Sequence, residues 1–403
     1  MPGAAATAPG AAAAASVDER LRGLPPVTQD HLRRLALPYY ARELSGDYFV
    51  GEGLQLSPQE RDAYAEAAGR FLTQYHTLAD RLLAGQYREE LGLPPALWEL
   101  AAETWRDRLR HPHLFGRFDV AGVVDGSPAR LIEFNADTAT VLAEAALVQD
   151  VQTGGRCWNE LPEALARRLG AWRQAHPDLE ARLAVVTLGF GEDDDNAAVL
   201  VAAARQAGFE AQVVHLPALT FSPGEGVYAQ LGAEEWLRYD FLVKLFPWDW
   251  VAAEEPDLLD ALAGLLRAGL LAVANPPYAS LWQSKAALAE LHRLFPQDEG
   301  ILAAGIGAPA DERQGQTVTK PLFGREGENV RVERAGSIVA SAAGDYGKQA
   351  RMWQAYTPLP RDADGEVYQA GVYVAGEPCG LGFRRRDGLI VDADSEFIAH
   401  LVE

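Results

Sequence analysis

Residues 115–138, FGRFDVAGVVDGSPARLIEFNADT, alternate apolar and polar side chains in a way that few folds can accommodate. This alternation predicts two strands, 117–124 and 129–135, because successive side chains of a strand point to opposite faces. The intervening Asp-Gly-Ser-Pro, residues 125–128, predicts the turn of a hairpin. The chain must therefore build a β-sheet around this segment.

One face of this hairpin carries polar side chains: Arg117 and Asp119 on the first strand, Glu133 and Asn135 on the second. Folding about the turn pairs residues whose numbers sum to about 252 to 254, which places Asp119 across from Glu133 or Asn135. Adjacent carboxylates are destabilising unless something neutralises them, and Mg²⁺ prefers oxygen ligands of this kind. The pattern favours a magnesium site formed by Asp119, Glu133 and Asn135. The alternative is a solvated polar face on which Arg117 pairs with both acids.

Lysine is rare in the chain: four of the 36 basic residues are Lys and the rest are Arg. Lys320 ends a predicted strand, and the loop Gly324-Arg325-Glu326-Gly327 that follows can direct backbone N–H groups at a phosphate. Lys285 follows Ser284, which we expect to cap the next helix, and a cation in a first helical turn is best explained by a nearby anion. These features predict nucleotide and Mg²⁺ binding. The alternative is that codon bias left four unrelated lysines.

The first 110 residues divide into a short low-complexity segment and a longer helical one. Residues 1–16 are low-complexity Ala, Pro and Gly, which predicts a disordered leader. Residues 17–110 are predicted to be mainly helical. Ser57 before Pro58 is typical of an N-cap, and it opens a long amphipathic helix that we expect to reach about residue 84. A second helix is predicted over residues 95–110.

The middle of the chain has the pattern of a βαβ unit. A strand at 182–189 is followed by the loop FGEDDDN, a helix from about 197 to 207 and the strand FEAQVVH. The loop would lie at the carboxyl end of its strand, where open parallel sheets usually bind ligands. Two more strands are predicted, at 241–246 and 270–274. From Ser284 onward, short strands alternate with Gly-rich turns.

The composition excludes several classes of protein. The net charge is −21, and an acidic surface disfavours nucleic acid and anionic membranes as partners. No apolar stretch reaches the roughly 20 residues of a membrane span. Two cysteines are too few for a disulfide framework, and neither a P-loop nor a complete dinucleotide-binding motif is present. We therefore expect a cytoplasmic protein.

At these residues the sequence resembles the synthetase domain of the glutathionylspermidine synthase family, which belongs to the ATP-grasp superfamily. The matching strings occur in family order over about residues 30–400, and they are FGRFD, LIEFNADTATVLAEAALVQ, FLVKLFPWDW, NPPYASLWQSKAALAELHRLFP, KPLFGREGENV and YQAGVYVAGE. The resemblance implies an α+β ATP-grasp fold over residues 17–403. It also implies a preceding α/β (pre-ATP-grasp) substrate-side subdomain at about 150–280 and a Gly-rich ATP-grasp lid at about 285–360.

The resemblance also implies roles for individual residues. The implied metal ligands are Asp119, Glu133 and Asn135, and the implied catalytic residues are Arg117 and Arg385. The implied ATP contacts are Arg117, Lys285, Lys320, Gly324, Arg325, Gly327, Gln354, Tyr356 and Gln369. The implied substrate contacts are Thr138, Asp194 and Asp195, and we add Lys244 because it lies in a strand on the substrate side.

Three consecutive cations, Arg384 to Arg386, follow the Gly-rich segment 380–382. Like charges repel one another, so we expect this segment to be a mobile loop that closes on the phosphates during turnover. If the strand pattern persists there, Arg385 points opposite to its two neighbours, and it is the residue that the resemblance implies to be catalytic.

The implied reaction uses MgATP to activate a carboxylate as an acyl phosphate, which an amine then attacks to form an amide. The expected partners are a small-molecule or peptide carboxylate and an amine, with polyamines among the candidates, and a second copy of the chain in a homodimer. Two alternatives stay open. One is an ATP-grasp ligase that joins a different peptide or amino acid to a different amine, and the other is a non-catalytic nucleotide-binding relative.

Overall fold

The computed structural model describes residues 16–43, 48–230, 235–308 and 315–403. The predicted leader lies outside these ranges except for Ser16. The helices are α1 (Gln29–Arg34), α2 (Pro38–Glu43), α3 (Pro58–Leu82), α4 (Pro95–Arg106), α5 (Gln149–Thr153), α6 (Leu161–Gln174), α7 (Gly191–Gln206), α8 (Trp248–Glu254), α9 (Pro256–Arg267), α10 (Ala279–Gln283) and α11 (Ala286–Leu294). A π-helical turn, Glu144–Val148, leads into α5.

The strands belong to four sheets. They are β1 (Leu21–Gly23), β2 (Phe49–Leu56), β3 (Gly116–Ala121), β4 (Arg130–Asn135), β5 (Arg182–Thr187), β6 (Glu210–His215), β7 (Leu219–Ser222), β8 (Gly226–Gln230), β9 (Trp236–Tyr239), β10 (Phe241–Lys244), β11 (Ala272–Ala274), β12 (Ala304–Ile306), β13 (Gln316–Pro321), β14 (Arg331–Arg334), β15 (Ser337–Ser341), β16 (Arg351–Ala355), β17 (Glu366–Val374), β18 (Pro378–Asp387) and β19 (Glu396–Val402).

The long helix α3 begins where the sequence predicted. The Ser57 hydroxyl accepts a hydrogen bond from the Glu60 N–H, and the Glu60 carboxylate accepts one from the Ser57 N–H. This capping box satisfies two backbone donors that the helix itself leaves without a partner. One face of α3 is buried, including Phe71, Tyr75 and Leu78, so the predicted amphipathic pattern is confirmed.

The predicted hairpin is confirmed and forms one edge of the largest sheet. Strands β3 and β4 pair antiparallel, with Arg117 opposite Asn135 and Asp119 opposite Glu133. The sheet has the order β1-β2-β19-β18-β17-β3-β4, so the C-terminal strands lie beside the hairpin. The strands are shorter than predicted, because the chain leaves the sheet at Gly122, whose positive φ of 91° ends the pairing.

The predicted βαβ unit is also confirmed, and it belongs to an α/β part of the chain, residues 182–274. Strands β11-β10-β5-β6 form a sheet whose neighbouring strands all run parallel. Helix α7 connects β5 to β6, but it begins at Gly191 rather than near residue 197. The acids of the FGEDDDN segment therefore lie in the first turns of α7, where carboxylates are stabilised by the helix dipole.

Two further sheets come from regions that the sequence pattern described only coarsely. A five-stranded sheet, β12-β16-β13-β14-β15, occupies the predicted lid region. A three-stranded antiparallel sheet, β7-β8-β9, lies between β6 and β10 in the chain and was not predicted.

The segment that follows the hairpin, residues 136–137, is held by buried side chains. The Asn275 amide donates to the carbonyls of Phe115, Ala136 and Asp137, with donor–acceptor distances of 2.8, 3.0 and 3.0 Å. The Gln283 side-chain oxygen accepts from the backbone N–H groups of Ala136 and Asp137. Because buried backbone groups must be hydrogen-bonded, these two side chains join the hairpin to the α/β part.

Lys244 and Asp137 form a buried ion pair at the same junction. Lys244 Nζ lies 2.5 Å from Asp137 Oδ1, and the two side chains are 0% and 1% exposed. The other carboxylate oxygen accepts from the Trp248 N–H at 2.7 Å. Burial lowers the pKa of Lys244, and Asp137 opposes that shift. The pair therefore links the end of β10, the start of α8 and the hairpin.

Replacing Lys244 should expose the energetic importance of this pair. Lys244→Met leaves Asp137 buried without its cation and should lower the free energy of unfolding by about 3–5 kcal/mol in urea denaturation. Adding Asp137→Asn should recover part of that loss, because the uncompensated charge is removed while an oxygen still faces Trp248. Lys348→Met, at an exposed lysine, is the control and should change stability by less than about 0.5 kcal/mol. A double variant that loses the sum of both single effects would contradict the argument.

Candidate active site

A cavity of about 890 Å³ opens beside the polar face of the hairpin. Its walls combine the β3–β4 hairpin, the start of α7, the five-stranded sheet and the segment 389–394 between β18 and β19. That volume suits a nucleotide-sized ligand. The predicted site residues on its wall are Arg117, Asp119, Glu133, Asn135, Thr138, Lys285, Lys320, Gly324, Arg325, Gly327, Gln354, Tyr356 and Gln369.

Arg117 and Asp119 form a close ion pair on β3. Arg117 Nε donates to Asp119 Oδ1 at 2.7 Å, and the Asn135 amide donates to Asp119 Oδ2 at 3.1 Å. Burial raises the pKa of Asp119, and Arg117 opposes that shift. Gly371 on β17 leaves room for the arginine, since a Cβ there would lie 2.8 Å from Arg117 Cδ.

Glu133 faces the two lysines that the sequence singled out. Lys285 Nζ lies 3.4 Å from Glu133 Oε2, and Lys320 Nζ donates to the Ile132 carbonyl and the Gln354 side chain, both at 3.0 Å. Burial would raise the pKa of Glu133, but Lys285 and Lys320 outweigh it and lower that pKa. Burial lowers the pKa of Lys320 to about 8, against the effect of Glu133.

Arg117 does not pair with both acids, as the alternative to a metal site required, and the magnesium site itself stays a prediction. Arg117 pairs with Asp119, whereas Glu133 lies beside Lys285. Together with Lys320, these residues carry three positive and two negative charges. This group of five side chains therefore has an excess of one positive charge, which favours an anionic ligand such as a polyphosphate beside it.

The same group suits a magnesium ion only with help from other oxygen atoms. Among the described residues, no cluster of three or more His, Cys, Asp and Glu side chains is placed to hold a metal ion. Asp119 and Glu133 supply carboxylate oxygens and Asn135 supplies an amide oxygen, which is the donor chemistry of Mg²⁺. Magnesium sites commonly use one or two carboxylates with substrate phosphates, so this donor set fits the ion when ATP is also bound.

Lys285 is held in place by hydrogen bonds to the backbone around it. Lys285 Nζ donates to the Gly324 carbonyl at 2.6 Å, and its backbone N–H donates to Leu322. Lys285 stands at the N-cap of α11 rather than in its first turn. The expected Ser284 cap is wrong, because the Ser284 hydroxyl donates to the Leu91 carbonyl instead.

The Gly-rich loop, residues 324–327, closes one side of the cavity. A Cβ on Gly327, which has a φ of 70°, would lie 2.7 Å from the Val391 carbonyl oxygen, so only glycine allows this approach. Arg325 Nη2 lies 2.6 Å from Asp249 Oδ1 on α8. The loop is therefore attached to the α/β part by an ion pair that the sequence did not indicate.

The predicted nucleotide contacts on β16 and β17 lie on the cavity wall. The Gln354 amide donates to the Leu131 carbonyl at 3.0 Å, which ties β16 to the hairpin. Tyr356 follows β16, and Gln369 lies on β17 opposite Arg384 of β18. Their contacts with ATP stay predictions.

The structure places the predicted acids Asp194 and Asp195 off the cavity wall. Asp194 accepts from the Thr187 hydroxyl at 2.7 Å, and Asp195 is buried and accepts from the Tyr40 N–H at 3.0 Å. Their neighbours Glu192 and Asp193 line the cavity instead. Burial, followed by nearby acids, raises the pKa of Glu192 to about 7 and that of Asp193 to about 6.

Residues 192–195 are four consecutive acids, and nothing in the sequence shows which two of them face the cavity. The residue at which α7 begins determines which acids face the cavity, because successive side chains on a helix are rotated by about 100°. With the helix beginning at Gly191, Glu192 and Asp193 face the cavity while Asp195 faces α2. An expected helix start near residue 197 left all four acids in a loop.

Lys244 also differs from its expected place. Its side chain is buried against Asp137, and Lys244 Nζ lies 4.8 Å from the centre of the Trp248 ring. Lys244 is not one of the described residues that line the cavity. A direct substrate contact is therefore incompatible with this structure. The lysine supports Thr138 and Asn135 only through the segment that it anchors.

The arginine triplet 384–386 lies in strand β18, so the predicted mobile loop is wrong. Arg384 lines the cavity and donates to the Ser395 carbonyl at 2.5 Å. Arg385 points to the opposite face of β18 from Arg384 and is not among the residues that line the cavity, and its Nη2 lies 2.6 Å from Oε2 of Glu396, which borders the cavity. The alternation of side chains along a strand was recognised from sequence, but the cavity lies on the other face from the one expected.

The architecture is that of a mixed α/β protein of the ATP-grasp type, as predicted. A solved glutathione synthetase-like effector from Globodera pallida, in its apo form, has a similar fold, with a TM-score of 0.51. The alignment covers 87% of this chain and 89% of that chain, with 9% identity, so the similarity concerns the fold alone.

The chain belongs to the glutathionylspermidine synthase preATP-grasp family, whose model matches residues 22–403. A Haemophilus influenzae protein, named as a candidate acid–amine ligase, is 27% identical over 339 residues, which are 80% of this chain and 82% of that protein. Trypanothione synthetase of Crithidia fasciculata is 23% identical over 335 residues, 76% of this chain but half of that protein. The predicted family and the expectation of a ligase-type enzyme are confirmed.

Helices long and apolar enough to cross a membrane do not occur within the part of the chain that the structure describes.

The raised pKa of Glu192 predicts a pH effect on stability. Its ordinary pKa is 4.5 and its folded-state pKa is about 7, so the folded protein binds this proton more tightly than the unfolded chain. The contribution of Glu192 to the free energy of unfolding should therefore fall as pH rises from about 4.5 to about 7. Melting temperatures across this range should fall less for Glu192→Gln than for the parent. Glu163→Gln, at an exposed acid on α6, should keep the parental slope, and an identical slope for Glu192→Gln would contradict the prediction.

The arginine triplet gives a second test. Arg384→Ala should lower ATP turnover at least about tenfold, because it removes a cation from the cavity wall and releases the carbonyl of Ser395. Arg385→Ala should lower turnover less than about threefold, since that side chain is paired with Glu396 and is not among the residues that line the cavity. Steady-state rates of the two variants decide the order, and a larger loss for Arg385→Ala would contradict the geometry.

Proposed function

We propose that this protein is an ATP-dependent carboxylate–amine ligase that forms an amide through an acyl-phosphate intermediate. The observation that carries the proposal is the convergence of Lys285, Lys320 and Arg117 with Asp119 and Glu133 on one cavity wall. These groups come from separate parts of the chain, and each has a buried partner that fixes it. A protein that only retained the fold would not need this arrangement.

The cations of the wall are suited to bind and orient a triphosphate. Lys285 and Lys320 provide ammonium donors held by backbone carbonyls, and Arg117 provides a guanidinium with one edge on Asp119. Asp119, Glu133 and Asn135 would hold Mg²⁺, which supplies further neutralisation of phosphate charge when bound. Positioning and electrostatic stabilisation supply most of the catalysis in phosphoryl transfer, so the site needs no protein nucleophile.

In the proposed reaction a substrate carboxylate oxygen attacks the γ-phosphorus of ATP, and ADP leaves. The amine nitrogen then attacks the acyl carbon, phosphate leaves and the nitrogen loses a proton. Glu192 and Asp193 lie on the same wall as Thr138, and their carboxylates are suited to bind a cationic amine. With a pKa of about 7, Glu192 is also suited to accept a proton near neutral pH. The candidate amines therefore include polyamines.

The function is tested by removing one charge from the wall. Glu133→Gln is nearly isosteric and should leave the melting temperature close to that of the parent, while Mg²⁺-dependent ADP release falls at least about a hundredfold, because a carboxylate donor of the metal set is lost. The assay uses a panel of thiol peptides and other carboxylates, each with polyamines or amino acids. Glu163→Gln is the control and should retain parental rates. ADP release within threefold of the parent for Glu133→Gln would refute the assignment of Glu133 and the proposed site.

A further inference from the structure

The ion pair between Arg325 and Asp249 joins the Gly-rich loop to α8. Arg325 Nη2 lies 2.6 Å from Asp249 Oδ1, and Arg325 Nη1 donates to the Tyr346 hydroxyl at 3.4 Å. The two charged side chains are 26% and 13% exposed, so water screens their attraction only in part. Arg325 lines the cavity, whereas Asp249 does not belong to its wall. The contact of this acid with the cavity wall that concerns a bound anion is therefore its ion pair with Arg325.

The position of Asp249 is fixed by the buried contacts at the start of α8. It lies in the first turn of α8, and the preceding Trp248 N–H donates to Asp137 at 2.7 Å. Asp137 is in turn fixed by the fully buried Lys244. The helix start is thus attached to the most deeply buried ion pair of the junction, and its position does not depend on the loop.

The Gly-rich loop has less to hold it in place. Glu326 and Gly327 in this loop both have a positive φ. Gly327 lies against the Val391 carbonyl, and no side chain separates the two. Lys285 Nζ binds the Gly324 carbonyl at 2.6 Å, which fixes the first residue of the loop. Arg325 is the next residue, so its ion pair with Asp249 decides where the guanidinium points.

We propose that Asp249 is a positioning residue that holds the Arg325 guanidinium on the cavity wall, ready to bind the phosphates of ATP. The inference rests on the proposed function and adds a residue outside the wall to it. A guanidinium has five N–H donors in a fixed plane, so an acid on one edge orients the donors of the other edge. Holding the arginine before ATP arrives removes part of the ordering cost of binding.

A purely structural ion pair would behave differently from a positioning one. A structural role predicts that Asp249→Asn lowers the melting temperature and leaves ATP affinity unchanged. A positioning role predicts that ATP affinity falls, and that the fall requires Arg325 to be present. The two roles are therefore separated by a double-mutant cycle on nucleotide affinity.

The experiment measures the Kd of MgATP by calorimetry for the parent, Asp249→Asn, Arg325→Ala and the double variant. We expect Asp249→Asn to weaken binding about tenfold in the parent background and less than twofold when Arg325 is already alanine. Asp249→Glu, which keeps the charge, should recover part of the affinity. Equal weakening in both backgrounds, or none in either, would overturn the proposal.

The control is Glu290→Gln, which removes another mostly buried acid paired with arginine. Glu290 lies 2.9 Å from Arg88 and from Arg293, is 6% exposed and does not line the cavity. It should lower the melting temperature without changing the Kd of MgATP, and a change there would attribute the effect at Asp249 to general destabilisation. A parent protein that binds no ATP would refute the proposed function, and this inference with it. A parent that binds ATP as tightly as Asp249→Asn would refute the inference alone.

Discussion

The buried ion pair between Lys244 and Asp137 is the contact on which the arrangement of this protein depends. Both side chains are removed from water, and a buried charge without a partner is strongly destabilising. Asp137 also accepts from the start of α8, while Asn275 and Gln283 bind the backbone around it. The hairpin, the parallel sheet and α8 therefore keep one relative position, and two walls of the cavity, the hairpin and the start of α7, depend on that position.

The charged side chains of the hairpin are also paired, because an unpaired buried charge is destabilising. Each of the two hairpin acids lies beside a cation, with Arg117 on Asp119 and Lys285 beside Glu133, and Lys320 adds a further positive charge. Burial disfavours an isolated ion, so an anionic ligand completes the balance of this group. At the other end, Glu192 and Asp193 resist ionisation because they are buried beside other acids. One cavity thus offers a cationic region and an acidic region.

Local pattern carried most of the correct predictions. The hairpin register needed only the period of two and a turn. The prediction that Asp119 lies across from Glu133 or Asn135 is confirmed, and the partner is Glu133. The cap at Ser57 and the parallel strands β5 and β6 rest on equally local rules. The predictions failed where an assignment needed the surroundings of a residue. Lys244 looked like a substrate contact in its strand, but packing places it beneath the site rather than in it.

The sequence by itself determined the hairpin, the long helix α3, the βαβ unit and the family, because periodicity, turn residues and motif spacing are properties of neighbouring positions. Tertiary structure alone decided which of four consecutive acids and which of three consecutive arginines face the cavity. Both choices depend on where a helix begins and which side of a sheet is covered, as for Glu192 and Arg384. It also created the contact between Arg325 and Asp249, which are 76 residues apart. Such contacts arise from folding distant segments together, and no local pattern records them.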